Sequence, residues 1–274
     1  MINANKTLSM AIMSGKGGVG KTNISLNLSY ALNAGGNSLL LMDCDLGLAN
    51  LDVLLGISPE SNLQDLLTKG TAPSDVVIPM EPGRKLDILP AASGVPELVE
   101  MDEDMQGMLF KKLTSLVGRY QYLIMDLGAG INKTVMSFAS MTQLRLVVVT
   151  PEPTSLTDSY ALIKVLATQH GVKDFFIVVN QASSSSEAKE TFTRLNLACQ
   201  KFLDITLKSI GFVRYDQNVP EAVRRQTPLI KFAPKSNASR DIINIAVKIQ
   251  KLRMDNMNLI AEKPIMSNFP LVGN

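Results

Sequence analysis

Leu8-Ser9-Met10-Ala11-Ile12-Met13-Ser14-Gly15-Lys16-Gly17-Gly18-Val19-Gly20-Lys21-Thr22 is the stretch that decides the fold of this 274-residue chain. Residues 8–13 are an apolar run of strand length, Gly15 to Thr22 match G-x-x-x-x-G-K-[ST], and residues 23–33 have helical period. Strand, glycine loop and helix in that order make a phosphate cradle. The glycines let successive backbone N–H groups turn inward, and the helix N-terminus adds positive potential. Gly15, Lys16, Gly17, Gly18, Val19, Gly20, Lys21 and Thr22 are therefore the candidate nucleotide-binding residues. Lys21 is placed to reach the β- and γ-phosphates of ATP, and the Thr22 hydroxyl to bind Mg2+.

Working outward, short runs rich in Val, Ile and Leu alternate with helical stretches. Strands are expected at residues 8–13, 38–42, 86–89, 122–125, 144–149, 175–179 and 210–213, and helices at 23–33, 156–168 and 187–199. Several strands are apolar on both faces, as in sheets covered by helices on each side. The fold class is α/β: a doubly wound, mainly parallel sheet flanked by helices, of the P-loop NTPase kind. Ligands of such sheets bind beyond the carboxyl ends of the strands. Ser183 to Ser186 read as a surface loop. The last helix is expected to start near Ser236 or Ser239, with Ile242, Ile245, Ala246, Ile249 and Leu252 on one stripe. The pattern loosens after Asp255, and Pro264 and Pro270 oppose a continuous helix to the end. Residues 1–255 are thus expected to form one ATPase domain, and 256–274 a tail that is membrane-targeting or disordered.

Acidic residues fall where that topology puts ligands. Asp43-Cys44-Asp45 closes the second expected strand, and a spacing of two puts both carboxylates on one face. One can hold a metal's water shell while the other orients an attacking water. Tyr122-Leu123-Ile124-Met125-Asp126 is an apolar strand ending in a carboxylate, the Walker B arrangement near Mg2+. Thr22, Asp43 and Asp126 are the candidate metal residues. Asn180 follows another strand, and its amide can both donate to and accept from an adenine edge.

Composition excludes more than it specifies. Lys plus Arg number 27 against 25 Asp plus Glu, too even to imply a specific nucleic-acid partner. Two cysteines and one histidine exclude a disulfide framework and any site needing several such ligands. No apolar run approaches the roughly 20 residues that cross a bilayer, and the first residues lack the features of a signal peptide. A cytoplasmic location is expected.

The loop's second lysine, Lys16, makes K-G-G-x-G-K-T, which resembles the deviant Walker A loop of the MinD/ParA ATPases. The resemblance runs from Met10 to about Ile249. It implies ATP binding with Mg2+, slow hydrolysis, and a homodimer that forms on ATP. In it Lys16 crosses to the partner's phosphates, as an arginine finger does, while Asp45 positions the hydrolytic water. Lys16 and Asp45 are the catalytic candidates. The family also implies base contacts from Asn180 and from the segment containing Tyr215, although it usually has proline where Arg214 stands. Glu152 and Asp158 are implied dimer contacts that meet the partner's phosphate loop. Gly128 and Gly130 correspond to the segment that senses the γ-phosphate.

Within that family the chain is most similar to the flagellar branch, FlhG/FleN, which sets flagellar number and placement. The segments 45–56, 89–94 and 150–164 carry this likeness. An FlhF-like GTPase, flagellar basal-body components and a FleQ-like transcription activator are the partners it implies. The short stretch before the first strand gives no support to the branch's GTPase-stimulating N-terminal segment. Residues 248–260, with Ile249, Leu252, Met257 and Ile260 as an apolar side, raise the expectation of a membrane surface met peripherally at its inner face. A MinD-like septum-site regulator and a ParA-like DNA-segregation ATPase are the alternatives. The second needs a basic surface that the charge balance does not require.

Overall fold

The computed structural model describes residues 3–45, 50–67, 71–91 and 103–267. Among the described residues eight strands form one sheet: β1 Leu8–Ser14, β2 Leu39–Cys44, β3 Ile78–Pro79, β4 Leu86–Leu89, β5 Tyr122–Ala129, β6 Leu144–Val149, β7 Phe176–Ala182 and β8 Lys208–Arg214. Their order is β3-β4-β2-β5-β1-β6-β7-β8. All neighbours run parallel except β3 and β4. The helices are α1 Lys21–Ala34, α2 Leu51–Leu55, α3 Glu103–Val117, α4 Lys133–Ser140, α5 Pro153–His170, α6 Ser185–Leu203, α7 Asn218–Arg224, α8 Leu229–Phe232, α9 Asn237–Asp255 and α10 Met257–Glu262.

The strands' period of two sorts their side chains between two cores. From β1, Leu8, Met10 and Ile12 join residues of α1 and α9, while Ala11 and Met13 join residues of α3, α4, α5 and α6. This double burial is why the strands read as near-continuous apolar runs. The chain crosses from one side of β1 to the other between β5 and β6, so the switch point lies at the end of β1, where the glycine loop begins.

One expectation is corrected in part here. Of Ser183 to Ser186, all exposed, only Ser183 and Ser184 form the connecting loop, and Ser185 and Ser186 open α6: Ser184 caps the helix by accepting the Glu187 N–H, and the Glu187 carboxylate accepts from the Ser183 N–H and hydroxyl. This is a variant of the capping box. The last long helix, α9, ends at Asp255, and α10 follows directly with Ile260 fully buried. The backbone carbonyls of Ile260, Pro264 and Ile265 accept hydrogen bonds from Asn3, Gln143 and Ser9. Ile249 and Ile260 lie in the core, so the apolar side expected to face a membrane is largely occupied by the protein itself. Residues 268–274 lie outside the described residues. Among the described residues no helix is long and apolar enough to cross a membrane.

Candidate functional site

The loop between β1 and α1 turns on Gly18 and Gly20, whose φ values of 78° and 86° are left-handed. Packing dictates two of its glycines. A Cβ on Gly15 would stand 2.2 Å from the backbone of Asp158 in α5, and one on Gly20 would stand 2.4 Å from Asn180 Nδ2. At Gly17 and Gly18 the same atom would meet nothing within 4 Å, so this side of the loop is open for a ligand to approach the backbone.

Beneath the loop the expected groups converge. Lys21, the first residue of α1, is buried, with Nζ 3.3 Å from Asp126 Oδ1. Ser25, one turn on, donates to the same oxygen at 2.8 Å. Asp43 stands directly opposite Asp126 in the β2–β5 register, and both are almost fully buried. Asp43 accepts backbone N–H groups from Asp45, Asn50 and Leu51, which ties the end of β2 to the start of α2.

Burial and the neighbouring Asp126 push the Asp43 carboxyl up to about 7, and burial raises Asp126 against the pull of Lys21. Two buried carboxylates against one buried ammonium leave a deficit of positive charge beside the Thr22 hydroxyl. Oxygen donors in that setting suit Mg2+. A carboxyl raised on folding favours the fold below its unfolded value, and that contribution is lost as pH climbs toward 7. Nucleotide-free protein is expected to melt at a progressively lower temperature from about pH 4 to 8 through this group. Asp43→Asn is expected to flatten that slope, as calorimetry across the range would record.

Asp45 is half-buried against β5, and a Cβ on Gly128 would lie 3.4 Å from its carboxylate. The segment 46–49 that follows it, like most of 89–94, lies outside the described residues. Lys16 lies at the outer edge of the loop. Its ammonium donates to Glu152 Oε2 at 2.5 Å and to Thr154 Oγ1 at 3.0 Å in the same chain. Glu152 is the residue before α5, with Pro153 opening the helix. Within the single chain Lys16 thus has Glu152 as its partner. Asp158, half-buried on α5, comes to the site through its backbone at Gly15.

On the base side, Asn180 is buried and its Nδ2 donates to the Val19 carbonyl at 2.8 Å, so the amide expected to meet adenine also braces the loop. Tyr215 is 63% exposed and borders an open cleft of about 480 Å³ with Thr150, Glu152, Gln181 and Ser183. Arg214 turns away, making a bidentate pair with Asp241 of α9 at 2.7 and 2.8 Å. Sequence reading missed Ser25, which the i, i+4 spacing from Lys21 would have flagged. It also missed Thr154 and Gln181, for which no local signal exists.

A parallel sheet with a glycine loop at its switch point, a buried lysine on a Walker B carboxylate and a second loop lysine define a P-loop nucleotide-binding protein. Residues 10–230 match the CobQ/CobB/MinD/ParA nucleotide binding domain, and the chain belongs to that family. It is 39% identical over 240 residues to the antiactivator FleN of Pseudomonas aeruginosa, covering 88% of this chain and 85% of that one. It is 32% identical over 246 residues to the flagellum site-determining protein YlxH of Helicobacter pylori, covering 89% and 82%. Among solved structures it is similar to a chain of the MinC:MinD cell division protein complex of Aquifex aeolicus, with TM-score 0.70, 27% identity and coverage of 89% and 96%. The MinD of Pyrococcus horikoshii in complex with Mg-ADP gives TM-score 0.69 at 27% identity, covering 90% and 97%.

Proposed function

We propose that this protein is an ATP-dependent dimerising switch that regulates flagellar number or placement through a protein partner. The observation that carries the reading is Lys21 set between an open glycine loop and the buried carboxylates Asp43 and Asp126, with Lys16 at the loop's outer edge. Loop N–H groups and Lys21 bind the triphosphate. Thr22, Asp43 and Asp126 would hold Mg2+, which when bound neutralises phosphate charge.

Lys16 gives the switch its dependence on assembly. Its pair with Glu152 is exposed, and such pairs contribute at most about 1 kcal/mol. A triphosphate presented by a second copy offers several negative charges, so the ammonium exchanges Glu152 and Thr154 for the partner's nucleotide. Asp45 then orients water, and loss of the γ-phosphate removes what Lys16 was holding. Asp45→Ala is expected to slow phosphate release by about 10²-fold or more while the ATP-bound dimer persists, and light scattering beside a phosphate assay would show both.

Similarity to FleN and YlxH supports the flagellar arm, and similarity to the MinC:MinD complex supports engagement of a protein partner. An FlhF-like GTPase, basal-body components and a FleQ-like activator are the candidate partners. Size-exclusion chromatography with ATP and with ADP tests the switch: a monomer in both would remove it. Counting flagella after deletion of the gene tests the process. Altered septa with an unchanged flagellar count would favour a septum-site role instead.

A further inference from the structure

The five residues of α2 are too few to hold a helix on its own hydrogen bonds. Contacts from outside the helix secure both of its ends. At the first, the N–H groups of Asn50 and Leu51 donate to Asp43 Oδ2, each at 3.3 Å, and the Leu51 side chain is buried. At the last, Gln226 Nε2 donates to the Val53 carbonyl at 3.0 Å, across 173 positions. Gly56 closes the helix at φ 63°, and a Cβ there would stand 2.6 Å from Gln226 Oε1 and 2.9 Å from its Cδ. The carboxamide therefore lies against the bare Cα of this glycine.

Gln226 itself has φ 49°, a left-handed backbone that strains any residue carrying a Cβ. Its main-chain bonding does not call for glutamine, since the N–H donates to the Val223 carbonyl as that of most residues would. What the side chain adds is its hold on α2. The anchor behind it is firm. α7 ends at Arg224, and near its start Asp216 accepts N–H groups from Asn218 and from Ala238 of α9. α2 is thus a short strut, clasped to the body of the protein by Gln226 at one end and holding Asp43 at the other.

We infer that Gln226 is a positioning residue for Asp43, and through Asp43 for Mg2+. This rests on the metal role given to Asp43 above. With the clasp in place, two N–H groups fix one carboxylate oxygen and the Asp45 N–H fixes the other. The group then meets a metal's water shell already oriented. Without the clasp the strut is held only through Leu51 and its neighbours, and the carboxylate must be ordered as the metal arrives.

The test combines amide hydrogen exchange of Asn50 and Leu51 by NMR with calorimetric binding of ATP in Mg2+ and in EDTA. It compares wild type, Gln226→Gly and Gln226→Lys. Glycine relieves the left-handed backbone as it removes the amide, so Gln226→Gly is expected to stay folded. Its two amides should exchange about tenfold faster in the nucleotide-free protein. The Mg2+ concentration that half-saturates the ATP complex should rise about fivefold, the range of one lost hydrogen bond. ATP affinity in EDTA is expected to stay within about twofold. Lysine can still donate to the Val53 carbonyl, so Gln226→Lys should restore both the exchange rates and the Mg2+ requirement. Unchanged exchange in Gln226→Gly would overturn the inference, as would faster exchange with an unchanged Mg2+ requirement. A comparable loss of ATP affinity in EDTA would also overturn it, by making Gln226 a general support of the loop. If wild type binds ATP no better with Mg2+ than in EDTA, it is the metal role of Asp43 that fails.

Discussion

Lys16→Ala is expected to lose ATP-induced dimerisation and at least about 10³-fold of turnover, the range that a cation supplied in trans contributes to phosphoryl transfer. The variant should melt within about 1 kcal/mol of wild type, since the contacts removed in the single chain are the exposed ones to Glu152 and Thr154. That contrast makes the result diagnostic, because catalysis and assembly fall together while the fold stays intact. The clean comparison places Lys16→Ala in an Asp45→Ala background, where ATP is retained, and weighs the particle by light scattering. A dimer of normal mass there would show that Lys16 serves only its own subunit. Glu152→Ala provides the reciprocal arm: freed from its intrachain partner, Lys16 should support dimerisation at a lower ATP concentration.

Lys21→Ala should produce the largest loss of nucleotide affinity, on the order of 10²-fold or more, because charge-assisted contacts to two phosphate groups vanish. It should also damage the nucleotide-free fold. Lys21 is the ammonium beside Asp126, and removing one partner of a buried pair costs roughly 3–5 kcal/mol when the other stays charged. Asp126 and Asp43 can escape part of that cost by taking up a proton, since burial already raises both. The defect is therefore predicted to be severe above pH 7 and milder near pH 5. Urea titrations at the two pH values would measure it. Lys21→Met, which keeps the aliphatic bulk, separates lost charge from lost packing. Equal stability of Lys21→Met and wild type at pH 8 would mean that the carboxylates are neutral in the folded state.

The parts of the site carried by local chemistry could be read without coordinates. Lys21 and Thr22 follow from the loop motif, and Asp43 and Asp126 from apolar runs that end in a carboxylate. Structure then set those carboxylates opposite each other in adjacent strands. Strand positions were legible because double burial makes them apolar throughout. The two-residue β3 was not, since an edge strand with Pro79 carries no periodic signal. Arg214 departs from the proline of its family, and only the fold shows that Asp241 takes its guanidinium.

Sequence by itself determined the fold class, the phosphate loop and the acidic strand ends, because each is written within a few neighbouring residues. Tertiary structure decided what those residues touch. Lys16 meets Glu152 across 136 positions, Asn180 braces Val19 across 161, and Ile260 of α10 enters the core beside α1 and α9. Such pairings depend on which strand ends the sheet order brings together. That order is fixed by burying both faces of the sheet at once, a property of the whole chain that no short segment encodes.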